Sequence, residues 1–159
     1  MSALELIEVK TAELSGLALD WAVGIADGRE LELPNAVRKR TCVVWCDPFV
    51  IKREGHPDFH DKTRRHWKPS TDWADGGPLV EAYDVELVRF GDEAGYLKDP
   101  EWNQKPCVVA YIQRNHADGE ACFDIDSGLQ GETRLIAACR AIVRAKLGNT
   151  VQVPRELLQ

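Results

Sequence analysis

The stretch Thr71-Asp72-Trp73-Ala74-Asp75-Gly76-Gly77-Pro78 combines the residue types best suited to holding an anion next to a planar ring. Two adjacent glycines leave the backbone bare enough for N–H groups to approach a phosphate, and a proline at a helix start leaves free N–H donors facing outward. Trp73 offers a face on which a base can stack, with Asp72 beside it. The competing reading is a capped turn whose tryptophan anchors the core and whose glycines serve backbone geometry. The stretch lacks the Lys-Ser/Thr of a P-loop and the spacing of a dinucleotide fingerprint, which excludes nucleotide hydrolysis through those motifs.

Two other groups point to the same chemistry. Lys62-Thr63-Arg64-Arg65-His66-Trp67-Lys68 interleaves cations with an aromatic ring, so Arg64, Arg65 and Trp67 are candidate ligand contacts. Gly131-Glu132-Thr133-Arg134 opens a helix whose first turn holds Arg134 against the positive end of the dipole, a placement that an anion would relieve. The ligand-binding set is therefore Arg64, Arg65, Trp67, Asp72, Trp73, Gly76, Gly77 and Arg134. No metal site or cofactor is expected. His56 and His60 have helical spacing, but Pro57 stands between them, and Cys42 and Cys46 do not make a zinc knuckle. Cys107, Cys122 and Cys139 lie in apolar segments and read as core rather than as nucleophiles.

The elements that must position these residues read as α+β. The expectation is a mostly antiparallel sheet of about five strands with two principal helices packed on one face. Strands are expected over Leu4 to Lys10, Arg29 to Leu33, Thr41 to Lys52 with a bulge or bend at Asp47-Pro48, Val85 to Phe90, and Pro106 to Gln113. The last of these turns through His116-Ala117-Asp118-Gly119 to a partner at Ala121 to Ile125. One helix runs from Ser15-Gly16 to Asp27-Gly28, and the other from the Thr133 cap to Gly148. Ser70-Thr71-Asp72 offers three consecutive N-cap residues before Trp73, and Gly76-Gly77-Pro78 starts a second short turn or helix through Val80 and Tyr83. The region from about 53 to 69 has glycine, prolines and no apolar period, and reads as a long polar, basic loop. Nothing divides residues 1–159 into more than one domain.

Charge is distributed unevenly. The chain carries a net charge of −6, yet Arg38 to Lys68 holds nine cations against four acids, leaving −11 on the remainder. A basic segment on an acidic body receives a small anion while repelling a long polyanion, so nucleic acid is not an expected partner. Internal neutralisation of the basic arm is the plainer alternative. No run of apolar residues is long enough to span a membrane, the N-terminus lacks a basic signal region, and five cysteines suit reduced thiols in a cytosol.

Three stretches resemble the NinX-like family of small bacteriophage and prophage proteins. They are Val9-Lys10-Thr11-Ala12-Glu13-Leu14-Ser15-Gly16 with Leu17-Ala18-Leu19-Asp20-Trp21-Ala22-Val23, then Ser70 to Glu81 around Asp72-Trp73-Ala74-Asp75-Gly76-Gly77-Pro78, then Leu135 to Val143 with Lys146-Leu147-Gly148 and Val151-Gln152-Val153-Pro154. The insert from Arg53 to His66 is longer than the family pattern, and Arg134 replaces a usual proline. The resemblance implies a phage or prophage gene expressed in a bacterial cytosol, and names no activity. The expected function is non-catalytic capture of a small, nucleotide-like anion, counteracting host defence signalling. The alternatives are a protein–protein inhibitor that presents the acidic stretch from Asp72 to Glu101 to a host factor, or a small hydrolase using Asp72, Asp75 and a histidine. A homo-oligomer would allow shallow half-sites to close at a two-fold interface.

Overall fold

A computed structural model describes residues 4–34, 43–90, 107–112 and 128–158. It is α+β, with three α-helices and three small antiparallel sheets. Strand β1 (Leu6–Lys10) pairs with β8 (Thr150–Pro154), joining the two ends of the chain. The Thr11 hydroxyl donates to the Gly148 carbonyl at 2.6 Å beside that pair. Helix α1 (Gly16–Ala26) stops at Asp27, and Gly28 follows at φ +71°, a left-handed terminator that a residue with a Cβ adopts only at a cost. Strands β2 (Leu31–Glu32), β3 (Val44–Ile51) and β4 (Phe59–His66) form the second sheet. Helix α2 (Trp73–Ala82) leads into β5 (Val85–Phe90), which pairs with β6 (Cys107–Ile112) and through it with β7 (Leu129–Gly131). Helix α3 (Arg134–Leu147) follows.

The core forms around α3. Its Ala137, Ala138, Ala141, Ile142 and Val143 are buried with Leu19, Ala22 and Val23 of α1 and with Val108 and Ala110 of β6. Small side chains along α3 let it approach the sheet closely. At Gly131 of β7 an added Cβ would sit 2.8 Å from the Ala137 Cα. Among the described residues no helix is long and apolar enough to cross a membrane.

Three expectations about the fold are corrected. The strands do not form one five-stranded sheet. The first strand is used by the last, and the long hairpin β3–β4 carries exposed side chains on both faces of its outer half, so it has no apolar face to add to the β5–β6–β7 sheet. The segment expected as a polar loop contains β4, and every residue of β4 is exposed. A strand wet on both faces has no apolar alternation, and its order comes from pairing with the β-branched and aromatic residues of β3. Asp47-Pro48 is no bulge, because the register runs unbroken from Val44↔His66 to Ile51↔Phe59. Cys46 N donates toward β2, at the Glu30 carbonyl. Pro48, two residues on, therefore turns its donor-less nitrogen to the open edge beyond β2, where no bond is lost. The strand expected over Ala121 to Ile125, with its turn, lies outside the described residues.

One buried carboxylate links the helices. Asp20 of α1 is 3% exposed and accepts the Ser70 N–H at 2.9 Å, tying α1 to the turn before α2. Burial, with Asp75 nearby, raises its pKa from 3.8 to about 6 against the opposing hydrogen bond from Ser70. The folded chain therefore holds a proton that the unfolded chain releases between those values. The group's contribution to stability is complete below about pH 4 and is lost as the pH rises through 6. Asp20→Asn keeps the acceptor and removes the ionisation. Its stability relative to the parent should increase by on the order of 3 kcal/mol between pH 4 and pH 7.5, as read from urea unfolding at each pH. A difference that stays flat with pH would show that Asp20 titrates normally.

Candidate functional site

The start of α2 is set by Asp72, whose carboxylate accepts the Ala74 N–H at 2.9 Å. The helix therefore begins at Trp73, three residues before the first glycine. Gly76-Gly77-Pro78 is not an open turn with free donors, as the sequence suggested, but helix interior. The Gly76 N–H is spent on the Asp72 carbonyl at 2.8 Å. What Gly76 supplies is absence of bulk, since an added Cβ would collide with the Pro69 carbonyl and come within 2.7 Å of Leu135 Cδ2. An added Cβ at Gly77 would meet the Trp73 ring at 3.5 Å.

Helix α3 starts beside this contact. Thr133 Oγ1 accepts the Ile136 N–H at 3.2 Å, which places Arg134 at the first helical position and Leu135 inward, where it is buried. The remaining N–H groups of that first turn and the helix dipole give the position a partial positive charge.

A cleft of about 330 Å³ opens between the two helix starts and the adjoining end of the β5–β6 pair. Trp73 forms one wall, Glu132, Thr133, Arg134 and Leu135 another, and Arg89, Cys107 and Val108 the sheet side. Trp73 is 54% exposed, a large apolar surface left to solvent. Arg89 and Arg134 are exposed, and neither forms an ion pair among the described residues. An exposed indole, two unpaired guanidiniums and a helix N-terminus thus meet in one concavity. That set can stack a planar group and hold an anion attached to it.

Of the residues singled out from sequence, Trp73 and Arg134 line this cleft; the others do not. Asp72 caps α2 and the glycines lie in its interior. Three cations of the basic arm are paired within the chain. Arg64 Nε meets Glu32 at 2.7 Å, Lys62 pairs with Glu30, and Arg65 reaches Asp75 at 2.8 Å. Asp75 is 6% exposed and also accepts the Lys68 backbone N–H at 2.9 Å, so this carboxylate is fully engaged. Trp67 is 1% exposed and is unavailable for stacking on a ligand. Its indole packs edge-on to Trp45 at 5.6 Å, with the Arg29 guanidinium 4.0 Å from the Trp45 ring centre and 4.2 Å from that of Trp67. Asp27 holds Arg29 in place at 2.6 Å and accepts the Tyr83 hydroxyl at 2.7 Å. Burial and that carboxylate push the Tyr83 phenol up to about 12.

The acids proposed for a hydrolase or an acidic docking face are partly consumed, Asp72 by a cap and Asp75 by Arg65. Residues 91–101 of that acidic stretch lie outside the described residues. No three His, Cys, Asp or Glu side chains converge among the described residues. Arg89 and Glu132 were not among the expected contacts. A signal for Arg89 was present, since it is one of two cations among nine acids in the thirty residues after Thr71.

These placements separate the two tryptophans. Trp67→Ala should cost roughly 3–5 kcal/mol of stability, the range for an emptied aromatic core site, while Trp73→Ala should cost less than about 1 kcal/mol. Denaturant midpoints of the two variants compare them directly, and equal losses would place Trp73 in the core. Gly76→Ala tests the helix contact. In an open helix this change stabilises by up to about 1 kcal/mol, but the Pro69 and Leu135 atoms should reverse the sign and destabilise by about 1–3 kcal/mol.

Residues 10–146 match the model of the family described as Bacteriophage P22, NinX, which takes in both helix starts and every residue of the cleft. The search of curated proteins returned no match to this chain. With its matched region covering most of its length, the chain belongs to the NinX family of phage proteins.

Proposed function

We propose that this phage protein is a non-catalytic binder of a small, nucleotide-like anion, held in the cleft between the starts of α2 and α3. The observation that carries this reading is the meeting of exposed Trp73 with two arginines, Arg89 and Arg134, that have no ion-pair partner among the described residues. On the hairpin, by contrast, Arg64, Arg65 and Lys62 are each paired with an acid. Two guanidiniums free to bind beside a bare indole leave charge and apolar surface open, and a stacked ring carrying a phosphate would engage both. The cleft volume lies at the lower end of ligand-site sizes and suits a mononucleotide. In a phage protein expressed in a host cytosol, such capture would withdraw a nucleotide signal from host defence.

Binding is tested by titrating the full chain with nucleoside monophosphates and following tryptophan fluorescence and heat. Arg134→Glu should lower affinity at least tenfold, about 1.4 kcal/mol, with a loss that shrinks as salt is added. Trp73→Ala should remove about 1–3 kcal/mol of binding while the circular dichroism stays native. Arg64→Glu, which removes exposed contacts to Glu32 and to the Lys62 carbonyl away from the cleft, should leave affinity within about twofold. Binding that survives Trp73→Ala and Arg134→Glu but fails in Arg64→Glu would move the site to the hairpin.

A further inference from the structure

Glu132 directly precedes the Thr133 cap of α3, where the helix dipole favours an acid, and it brings a negative charge into a cleft whose other charged residues are cations. It is exposed, lines the same concavity as Arg89 and Arg134, and forms no ion pair with either. An ionised carboxylate accepts hydrogen bonds and cannot donate them, so against a bare phosphate it is purely repulsive. The other contacts carry no information about the ring: an indole stacks on any base, and a guanidinium pairs with any phosphate. A carboxylate beside them makes the site selective, because it requires a ligand with hydrogen-bond donors on the edge of the stacked ring and penalises one that presents acceptors.

Resting on the nucleotide reading above, we infer that Glu132 selects a guanine base, its two carboxylate oxygens accepting the N1–H and N2–H donors of the guanine edge. Guanine has two adjacent donors there, spaced to meet the two oxygens of one carboxylate. Adenine presents one amino donor beside the acceptor N1, cytosine one beside the acceptor N3, and uracil a single N–H between two carbonyls. Each of these turns at least one lone pair toward the negative carboxylate. Hypoxanthine keeps N1–H and lacks the second donor, which makes it the intermediate case. Trp73 then stacks the ring, and Arg134 and Arg89 hold the phosphate. The roles divide so that Glu132 chooses the base and the arginines supply affinity.

The experiment titrates the full chain with guanosine, inosine and adenosine 5′-monophosphates under one buffer and salt condition. Guanosine monophosphate is expected to bind at least tenfold tighter than adenosine monophosphate, with inosine monophosphate between them. Glu132→Gln should abolish most of that preference, chiefly by weakening guanosine monophosphate, while adenosine monophosphate binds as well as before or better. Glu132→Ala should behave in the same way, and unchanged thermal unfolding of both variants confirms an intact fold. Equal affinity for all three in the parent protein, or a preference that survives in both variants, overturns the role of Glu132. If those equal affinities still fall in Arg134→Glu, the nucleotide cleft stands and the guanine assignment alone is lost. Failure of every nucleotide to bind overturns the nucleotide reading and this inference with it.

Discussion

The contact between Gly76 and the Leu135 side chain holds the first turns of two helices together, and the cleft exists because of it. A helix start is electropositive and has unpaired donors, so two of them packed side by side repel weakly and gain little from each other. Here the pairing is imposed by packing. Gly76 admits both the Pro69 carbonyl and Leu135, and Gly131 admits the backbone of Ala137, so α3 is pressed onto α2 and β7 at its first turn. Trp73 and Arg134, the first residues of their helices, are exposed and stand at the rim. Close approach at two glycines is thus the cause, and an exposed aromatic beside an exposed cation is the consequence.

The same packing decides which charges are spent on the fold. Arg65 reaches the buried Asp75 on α2, and the Lys68 backbone closes the other oxygen, so the hairpin is tied to the helix through one carboxylate. The Arg65 end of that pair is about half exposed, and its net contribution is modest. Its effect is positional, since it fixes where Trp67 enters the core and where the turn at Ser70 meets Asp20. Arg29, set between Trp45 and Trp67 and held by Asp27, completes a second clasp in which the cation is covered by ring faces. Among the described residues Arg89 and Arg134 have no such partner. Arg64 and Arg65 join elements through Glu32 and Asp75, whereas Arg89 and Arg134 meet at a concavity.

Much of this fold was legible in the sequence wherever one face of an element is buried. Val85–Phe90 and the Thr133-capped helix show the apolar spacing and end signals that burial and capping require. The β4 strand was hidden because neither of its faces is covered, and alternation records only a difference between faces. Asp72 is one of three N-cap residues that precede Trp73, so the cap of α2 is legible; Gly-Gly-Pro, a strong local turn signal, conceals that those residues are helix interior, where Gly76 serves a close contact made in three dimensions. The two tryptophans show the limit most clearly. Trp67 lies among cations and Trp73 beside glycines, so local chemistry marks both as ligand contacts. Whether each ring faces the core or the solvent depends on elements distant in sequence, Val43 and Arg29 for Trp67 and, for Trp73, the cleft wall that Leu135 shares with it.

On the nucleotide reading, the distribution of charge also limits ligand size. The chain as a whole carries −6, and screening at physiological ionic strength confines exposed fields to about 8 Å. A mononucleotide beside Arg89 and Arg134 would then be held by the cations that line the cleft itself, not by the charge of the whole chain. A long polyanion would carry further phosphates past the cleft, onto a chain of net negative charge whose hairpin has already paired Lys62, Arg64 and Arg65 internally. Counterion release, the main source of affinity for nucleic acid, requires many free cations along a track, and three of the hairpin's cations are already spent on Glu30, Glu32 and Asp75. On this reading, the net charge and internal pairing that disfavour a strand leave a single nucleotide as the ligand the cleft would favour.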